Sequence, residues 1–474
     1  MKKIELEERG YFWWRNEPTP EGHFAPDSAV TGVLSIDEDG RVELELDGVL
    51  FTEEEALAAV LGELGPIPPD KAIQGILKGS GYCVVLTGIW SNGGRGSTNG
   101  ISFQRFSALS CLVGSSPPPL GVLRFRKLEI DLKGLESWLR LGSISFNRTK
   151  SRLSSTYRRP KNLSYPAGDG ALSIKYDITA PYFGTRKSEL SLSESAALCF
   201  TTKKSWPLLE MRDLYGVIED LFILLTDSEC CLEWPLLKLW GSKNSYRYYF
   251  LRNRSAAPAP DWHECWTNFV QLKDNFGAIF SSWRTQREIF GPGFYLYLGT
   301  RRGMQLYAEH RFVNLMWGIE SLHRRSAPES ALPTNLEKKI QRILDGVEKK
   351  RDRCWLEGKL KHAQEPNLAQ RMYETLKELP FAFDESLLRS FCGSCASARN
   401  DISHFGGVRH DEGYEELLTS LDSKSDAISL LYHALLLHKI GVDKKILRWW
   451  MFEGFRSYGI KESLADTGLL ASNG

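Results

Sequence analysis

No stretch of this sequence stays apolar for the roughly 20 residues that a bilayer-crossing helix needs, so no membrane span is expected. The chain does not open on an apolar run either. Met1-Lys2-Lys3 leads into Glu5, Glu7 and Glu8, which is not a secretory leader. Charge of one sign is lacking: 60 Lys and Arg stand against 59 Asp and Glu, so any nucleic-acid surface has to be a local patch. The nine cysteines are an odd number, too sparse in 474 residues for a disulfide scaffold, and point to a reducing cytoplasm with mostly buried thiols. No internal repeat is present, which excludes solenoids and propellers. The glycine-rich stretch Ser91–Gly100 lacks the Gly-Lys-Ser/Thr ending of a phosphate loop, and no helical pattern follows it; it reads as a flexible loop between strands.

Metal-ligand spacing is also scarce. Cys392-x-x-Cys395 has no second pair of matching spacing. Cys230-Cys231 belongs to the other half of the chain, and Cys392 and Cys395 fall on an apolar helix stripe as core residues. His263-Glu264-Cys265 are consecutive and diverge on a helix. His433 and His438 read as structural. No metal and no cofactor is expected.

What is present is an ordinary globular composition, 42% hydrophobic and 25% charged, in a chain long enough for two or three domains. Residues 1 to about 255 read as strands. Ala29–Ile36 and Arg41–Leu46 flank an Asp-Gly turn as a hairpin. Runs at Ala72–Leu77, Tyr82–Trp90, Ser102–Val113, Val122–Leu132, Ala171–Phe200 and Leu232–Leu251 follow, with one helical interval at Asp213–Leu225. Pro117-Pro118-Pro119 is a stiff connector. Ser255–Pro260 reads as a linker. Beyond it the period becomes helical at Trp262–Phe280, Met304–Arg325, Leu336–Val347, Leu368–Leu379, Ser386–His404 and Ala427–Ile440, with Val442–Phe455 closing the chain. The expected class is multidomain α+β. Residues 1–255 form an antiparallel, sandwich- or barrel-like domain, 256–300 a linker with connecting helices, and 301–474 an all-α bundle.

The chemistry concentrates at the end of one predicted helix. Leu387, Leu388, Phe391, Cys392, Cys395, Ala398 and Ile402 make its stripe, and Gly406 its left-handed stop. Its last turns carry Arg399, Asn400 and His404. Asn400 and His404 share a face. Arg399 and His404 are separated by about 7.5 Å of rise and about 140° of rotation, which a long Arg side chain spans. A guanidinium fork suits bidentate phosphate contact and an imidazole suits proton transfer near neutral pH, so the pair fits phosphodiester chemistry. On spacing alone, a surface Arg with a helix-capping His remains open. His410 lies beyond the glycines, which leave its place open.

Arg399-Asn400-x-x-x-His404 resembles the active-site motif of HEPN-domain ribonucleases. Arg311–His323, with Glu320 ahead of Ser-Leu-His, resembles the first helix of the ApeA-type HEPN branch, and the N-terminal half resembles the β-rich domain that precedes HEPN in ApeA anti-phage proteins. The resemblance implies a metal-independent endoribonuclease of abortive anti-phage defence. It would cut host RNA, transfer RNA being a plausible target, to 2′,3′-cyclic phosphate and 5′-OH ends. His404 would carry acid/base work, Arg399 the phosphate, Asn400 its orientation, and Glu320 would support Arg399. Such sites are composite, which implies a homodimer or a higher even-numbered homo-oligomer. The N-terminal domain would sense an unidentified phage-derived trigger or restrain the site.

Between Glu337 and Lys361, nine cations face five anions. Lys338, Lys339, Lys349, Lys350, Arg351 and Arg353 are candidates for tracking an RNA backbone, with Arg301-Arg302 and Arg324-Arg325 as extensions; a solvated helix face is the plainer reading. Two other functions fit the same composition: a non-catalytic HEPN-like nucleotide- or RNA-binding scaffold, and a carbohydrate- or peptide-binding protein with a helical dimerisation tail.

Overall fold

The computed structural model describes residues 3–50, 67–68, 71–95, 100, 102–180, 191–229, 232–252, 259–302, 306–326, 334–360, 365–405 and 413–470, the side chains of 334–337, 404 and 405 excepted. Several sequence-stretch readings lie outside these residues: Gly96–Asn99, Cys230-Cys231, residues 255–258 of the linker, Met304, Lys361, Gly406, Gly407 and His410. The chain divides into two compact units, Met1–Glu219 with Cys230–Pro260, and Asp220–Glu229 with Asp261–Gly474.

The strands of the first unit follow from period-2 alternation: Val42–Leu46 reads buried, exposed, buried, exposed, buried. The barrel strands are β1 (Ile4–Trp14), β2 (Val30–Asp37), β3 (Val42–Leu46), β4 (Ala72–Leu77), β5 (Cys83–Arg95) and β6 (Phe103–Gly114). They pair in the order β6-β3-β2-β1-β4-β5, and β5 closes back on β6, all antiparallel. Closure removes free edges, and the interior fills with Phe12, Leu34, Leu44, Ile73, Leu86 and Phe106. The turn between β2 and β3 ends on Gly40, at φ 78°, where an L side chain is disfavoured.

The chain continues through β7 (Phe125–Asp131), α1 (Glu136–Leu139), β8 (Ile144–Arg148), β9 (Leu153–Tyr157), β10 (Leu163–Ala167), β11 (Gly170–Thr179), β12 (Ser193–Trp206), α2 (Leu208–Thr226), β13 (Leu236–Leu239) and β14 (Ser245–Phe250). Along β6, Gln104–Ala108 pair with β3 and Ser110–Gly114 pair with β14. The sheet leaves the barrel there and runs on as β14-β13-β7-β12-β11-β10; β8 and β9 form a separate two-stranded sheet. The barrel-like expectation holds. Ser91–Arg95, however, is strand rather than loop. It extends β5 to the pair Arg95↔Phe103, across a register shift that places Gly93 at φ 103°.

The second unit is helical: α3 (Phe269–Leu272), α4 (Phe276–Arg301), α5 (Ala308–Ser326), α6 (Thr334–Asp345), α7 (Lys350–Leu360), α8 (Leu368–Leu376), α9 (Glu385–Phe405), α10 (Tyr414–Lys439), α11 (Lys444–Phe452) and α12 (Ser457–Asp466). Trp262–Asn268, read as helical, is turn and coil, because Asn268 starts the helix. Its side chain accepts from Gln271 N at 3.1 Å while Gln271 Oε1 accepts from Asn268 N at 3.1 Å, a capping box. Residues 261–300 fall within this unit. Within α4, Gly291 at φ 61° ahead of Pro292 makes a kink. Two residues on, a Cβ at Gly293 would stand 2.7 Å from Gly318 Cα, so α4 and α5 approach closely because both positions are glycine. Buried Ile428, Leu431, Tyr432, Leu435 and Leu436 put α10 in the core.

Candidate active site

Three helices of the second unit build the site. On α5, Glu320, His323 and Arg324 stand at i, i+3 and i+4 and share a face. On α8, Arg371 and Glu374 do the same. The last turns of α9 carry Arg399, Asn400 and His404; the backbone of His404 is helical, and its side chain lies outside the described residues.

Arg399 Nη2 lies 4.0 Å from Glu320 Oε2, with both side chains about one-fifth exposed (23% and 20%). Its Nη1 donates to Asn400 Oδ1 at 3.3 Å. Its Nε is buried and has no acceptor among the described residues. The guanidinium is held in place yet keeps donors to spare, which is the state an oxyanion would complete.

Glu320 is shared. Its other oxygen accepts from Arg324 Nε at 3.2 Å and Nη2 at 3.1 Å. Arg324 Nη1 donates to Glu365 at 3.0 Å, and Arg371 Nη2 donates to the same Glu365 oxygen at 2.7 Å. Arg371 Nη1 then reaches His323 Nδ1 at 3.4 Å, and His323 Nε2 donates to Glu374 Oε2 at 2.7 Å. Since Arg only donates, Nδ1 accepts and Nε2 carries the proton. Partial burial works against charge on Arg324, but Glu320 and Glu365 outweigh it and raise its pKa. The amide of Gln370, with His323, holds the Glu374 carboxyl below its usual range. The result is a ladder of alternating charge from α9 across α5 to α8.

The sequence named Arg399, Asn400, His404 and Glu320. The structure brings Arg399, Asn400 and Glu320 together and puts His404 on the same helix. The sequence reading missed His323, Glu365, Arg371 and Glu374. The i, i+3, i+4 set Glu320-His323-Arg324 was the available signal.

The proposed basic surface is corrected at three places. Arg324 is engaged by two carboxylates. Arg301 Nη1 sits 3.2 Å from buried Asp227, and Arg302 donates to Asp220 at 2.7 Å, so both serve ion pairs inside the unit. Lys338, Lys339, Lys349, Lys350, Arg351 and Arg353 are exposed on and beside α6 and α7; of the six, Arg353 pairs with Asp345 at 3.0 Å. Helix α7 has no buried residue among those described, and its Trp355 is exposed.

Cys392 and Cys395 are buried in α9, and burial pushes the Cys392 thiol up to about 12. No group of three or more His, Cys, Asp or Glu fit to hold a metal occurs among the described residues. No helix among them is long and apolar enough to cross a membrane. A cavity of about 690 Å³ lined by Phe391, Ser394, Glu415 and Lys424 does not include Arg399 or Glu320.

Residues 7–283 match the family described as ApeA N-terminal domain 1, more than half of the chain, and residues 313–446 match the family described as Apea-like HEPN. No curated protein and no solved structure matches.

Proposed function

The chain belongs to the ApeA family, an ApeA N-terminal domain followed by an ApeA-like HEPN domain that marks a nuclease-type defence protein, and from that premise we propose a metal-independent endoribonuclease of abortive anti-phage defence. The observation that carries the reading is Arg399, held beside Glu320 with an Nε that has no acceptor among the described residues, on the helix whose backbone continues through His404.

The step needs no cofactor. One imidazole takes the proton of a ribose 2′-OH. The 2′-oxygen forms a bond to phosphorus, the P–O5′ bond breaks, and a second acid protonates the leaving 5′-oxygen. The products are a 2′,3′-cyclic phosphate and a 5′-OH. Arg399 neutralises the charge that builds on the phosphoryl oxygens, Asn400 orients that group, and Glu320 keeps the fork aimed. His404 supplies one of the two proton-transfer groups, so a second copy of the chain supplies the other across a two-fold axis. The substrate is host RNA, with exposed transfer-RNA loops favoured because unstacked nucleotides reach such a site more readily than duplex. The exposed cations of α6 and α7 track its backbone. The N-terminal unit restrains the site until a phage-derived trigger arrives.

The test is cleavage of purified RNA in EDTA, with chemical assignment of the new ends and with rate followed against protein concentration. Cyclic-phosphate ends, insensitivity to EDTA and a rate that rises faster than linearly with protein support the reading. Loss of cleavage in EDTA that added metal restores would overturn it.

A further inference from the structure

From Arg140 to Gly168 the sequence holds seven Lys and Arg and no Asp or Glu, in a chain whose charges otherwise balance. The centre of this segment is the β8–β9 hairpin, which pairs with no other strand among those described. An isolated two-stranded hairpin is marginal in water unless something covers its apolar side. Here nothing described covers it: Phe146 and Leu153 are each 65% exposed.

The register sorts its side chains. Ile144↔Tyr157, Phe146↔Ser155 and Arg148↔Leu153 are cross-strand partners, so these six share one face; Ser145, Asn147, Ser154 and Thr156 share the other. The first face runs from half-buried Ile144 and Tyr157 at the root to the exposed Phe146 ring, then to Arg148. Lys150 and Arg152 crown the turn, which Thr149 N closes by donating to Arg152 O at 2.8 Å. Arg148, Lys150 and Arg152 are exposed, and none has a carboxylate partner among the described residues. At the base, Arg159 Nε donates to Tyr176 O at 2.9 Å and ties the segment to the main sheet.

We propose that the β8–β9 hairpin is an RNA-binding arm, with Phe146 as a stacking platform for an unpaired base and Arg148, Lys150 and Arg152 as contacts to the flanking phosphates. An aromatic ring among unpaired cations is what a single strand requires. The polar face of hydroxyls and an amide offers hydrogen bonds to sugars and base edges. It offers nothing to a lipid bilayer, and one Phe with one Leu is little surface to insert. The polymer is named as RNA because this rests on reading the Arg399 site as RNA-cleaving; the arm itself rests on the hairpin.

The experiment uses the full chain carrying His404→Ala, so that bound RNA stays intact, and a labelled unstructured RNA of roughly 30 nucleotides, several site lengths. Affinity is measured across a salt series for this parent, for Arg148→Ser/Lys150→Ser/Arg152→Ser, and for Phe146→Ser, with thermal unfolding as the check that each is folded. The triple variant is expected to bind at least about tenfold more weakly, with a salt slope shallower by about 2, since each lost phosphate contact removes about 0.7. Phe146→Ser is expected to lose on the order of tenfold with the slope unchanged. Affinities and slopes equal to the parent's in both variants overturn the arm, as does a parent that binds no RNA. Hairpin-dependent binding to phosphatidylserine vesicles without effect on RNA overturns it in favour of a lipid surface. Hairpin-dependent RNA binding, when the wild-type chain with His404 intact cleaves none of the same RNA, leaves the arm standing and removes the nuclease. Cleavage with hairpin-independent binding does the reverse.

Discussion

Asp227 is the residue whose replacement tests the packing of the helical unit most sharply. Its side chain is 1% exposed, yet it is a carboxylate. Oδ2 accepts from Trp266 Nε1 at 2.9 Å and from Arg456 Nη1 at 3.0 Å; Oδ1 faces Arg301 Nη1 at 3.2 Å and His433 Nδ1 at 3.5 Å. Burial alone would raise its pKa, but the positive charges of Arg301 and Arg456, with the Trp266 hydrogen bond, hold it below the usual carboxylate range. At 3.2 Å and an effective dielectric of 20, the Arg301 attraction is about 5 kcal/mol before desolvation is subtracted. Arg456 is over one-third exposed and adds less. Asp227→Asn is the clean perturbation. Asn tolerates the left-handed φ of 52° that Asp227 adopts, so the change removes charge without adding backbone strain. It leaves the enclosed Arg301 guanidinium without its nearest counter-charge, which costs about 3–5 kcal/mol. For a unit of this size that lowers its melting temperature on the order of 10 °C. Urea unfolding followed by tryptophan fluorescence reads the effect as a shifted midpoint of the helical unit's transition. The carboxylate's contribution is present above the unfolded pKa of about 3.9 and is lost as pH falls through the lower folded value. A loss under about 1 kcal/mol for Asp227→Asn would refute the reasoning.

His433 predicts a second pH effect of its own. Its Nε2 donates to Leu224 O at 2.7 Å, and burial pushes its pKa down to about 4. Because the unfolded imidazole takes a proton near pH 6.5, its share of stability is complete above that value and drains by about 3 kcal/mol as pH falls to about 4. His433→Gln should flatten the urea midpoint against pH in that window. At the candidate site, Glu320→Gln should slow single-turnover RNA cleavage by roughly tenfold or more, because Arg399 loses its anchor. It should change stability by less than about 1 kcal/mol, since the pair is partly solvated. Gly293→Ala forces α4 off Gly318 and should cost about 1–3 kcal/mol in thermal unfolding, with larger side chains worse.

The parts of this fold that were legible in the sequence are those whose patterns are local. The Val30–Leu46 hairpin shows period-2 alternation around an Asp-Gly turn, and α9 shows an unbroken 3.6 period from Leu387 to Ile402; both lie where the residues say. Three features were not legible, each for a physical reason. Helix α4 hides because Gly291-Pro292 punctuates it, and a kinked helix packed on a neighbour gives a breaker signal. The β8–β9 hairpin has Ser, Thr, Asn and Arg where alternation needs apolar residues, because no core covers it among the described residues. The end of β5 runs through glycines that read as loop, because a β-bulge needs what a loop needs. At the site, Arg399, Asn400 and His404 are one local motif and were visible. The ladder through Glu365, Arg371 and Glu374 joins separate helices, and no sequence period encodes a contact between them. The Asp227–His433 pairing spans 206 positions and is invisible for the same reason.

The measurement that tests the central claim most directly is made in infected cells. The wild-type chain and His404→Ala are expressed, cells are challenged with a panel of phages, and RNA ends are sequenced by a method that records terminal chemistry. The account predicts new cuts ending in 2′,3′-cyclic phosphate, with matching 5′-OH ends, after infection and in the wild type alone, together with loss of phage restriction in His404→Ala. Identical RNA ends in the two strains, with restriction intact in His404→Ala, would contradict it.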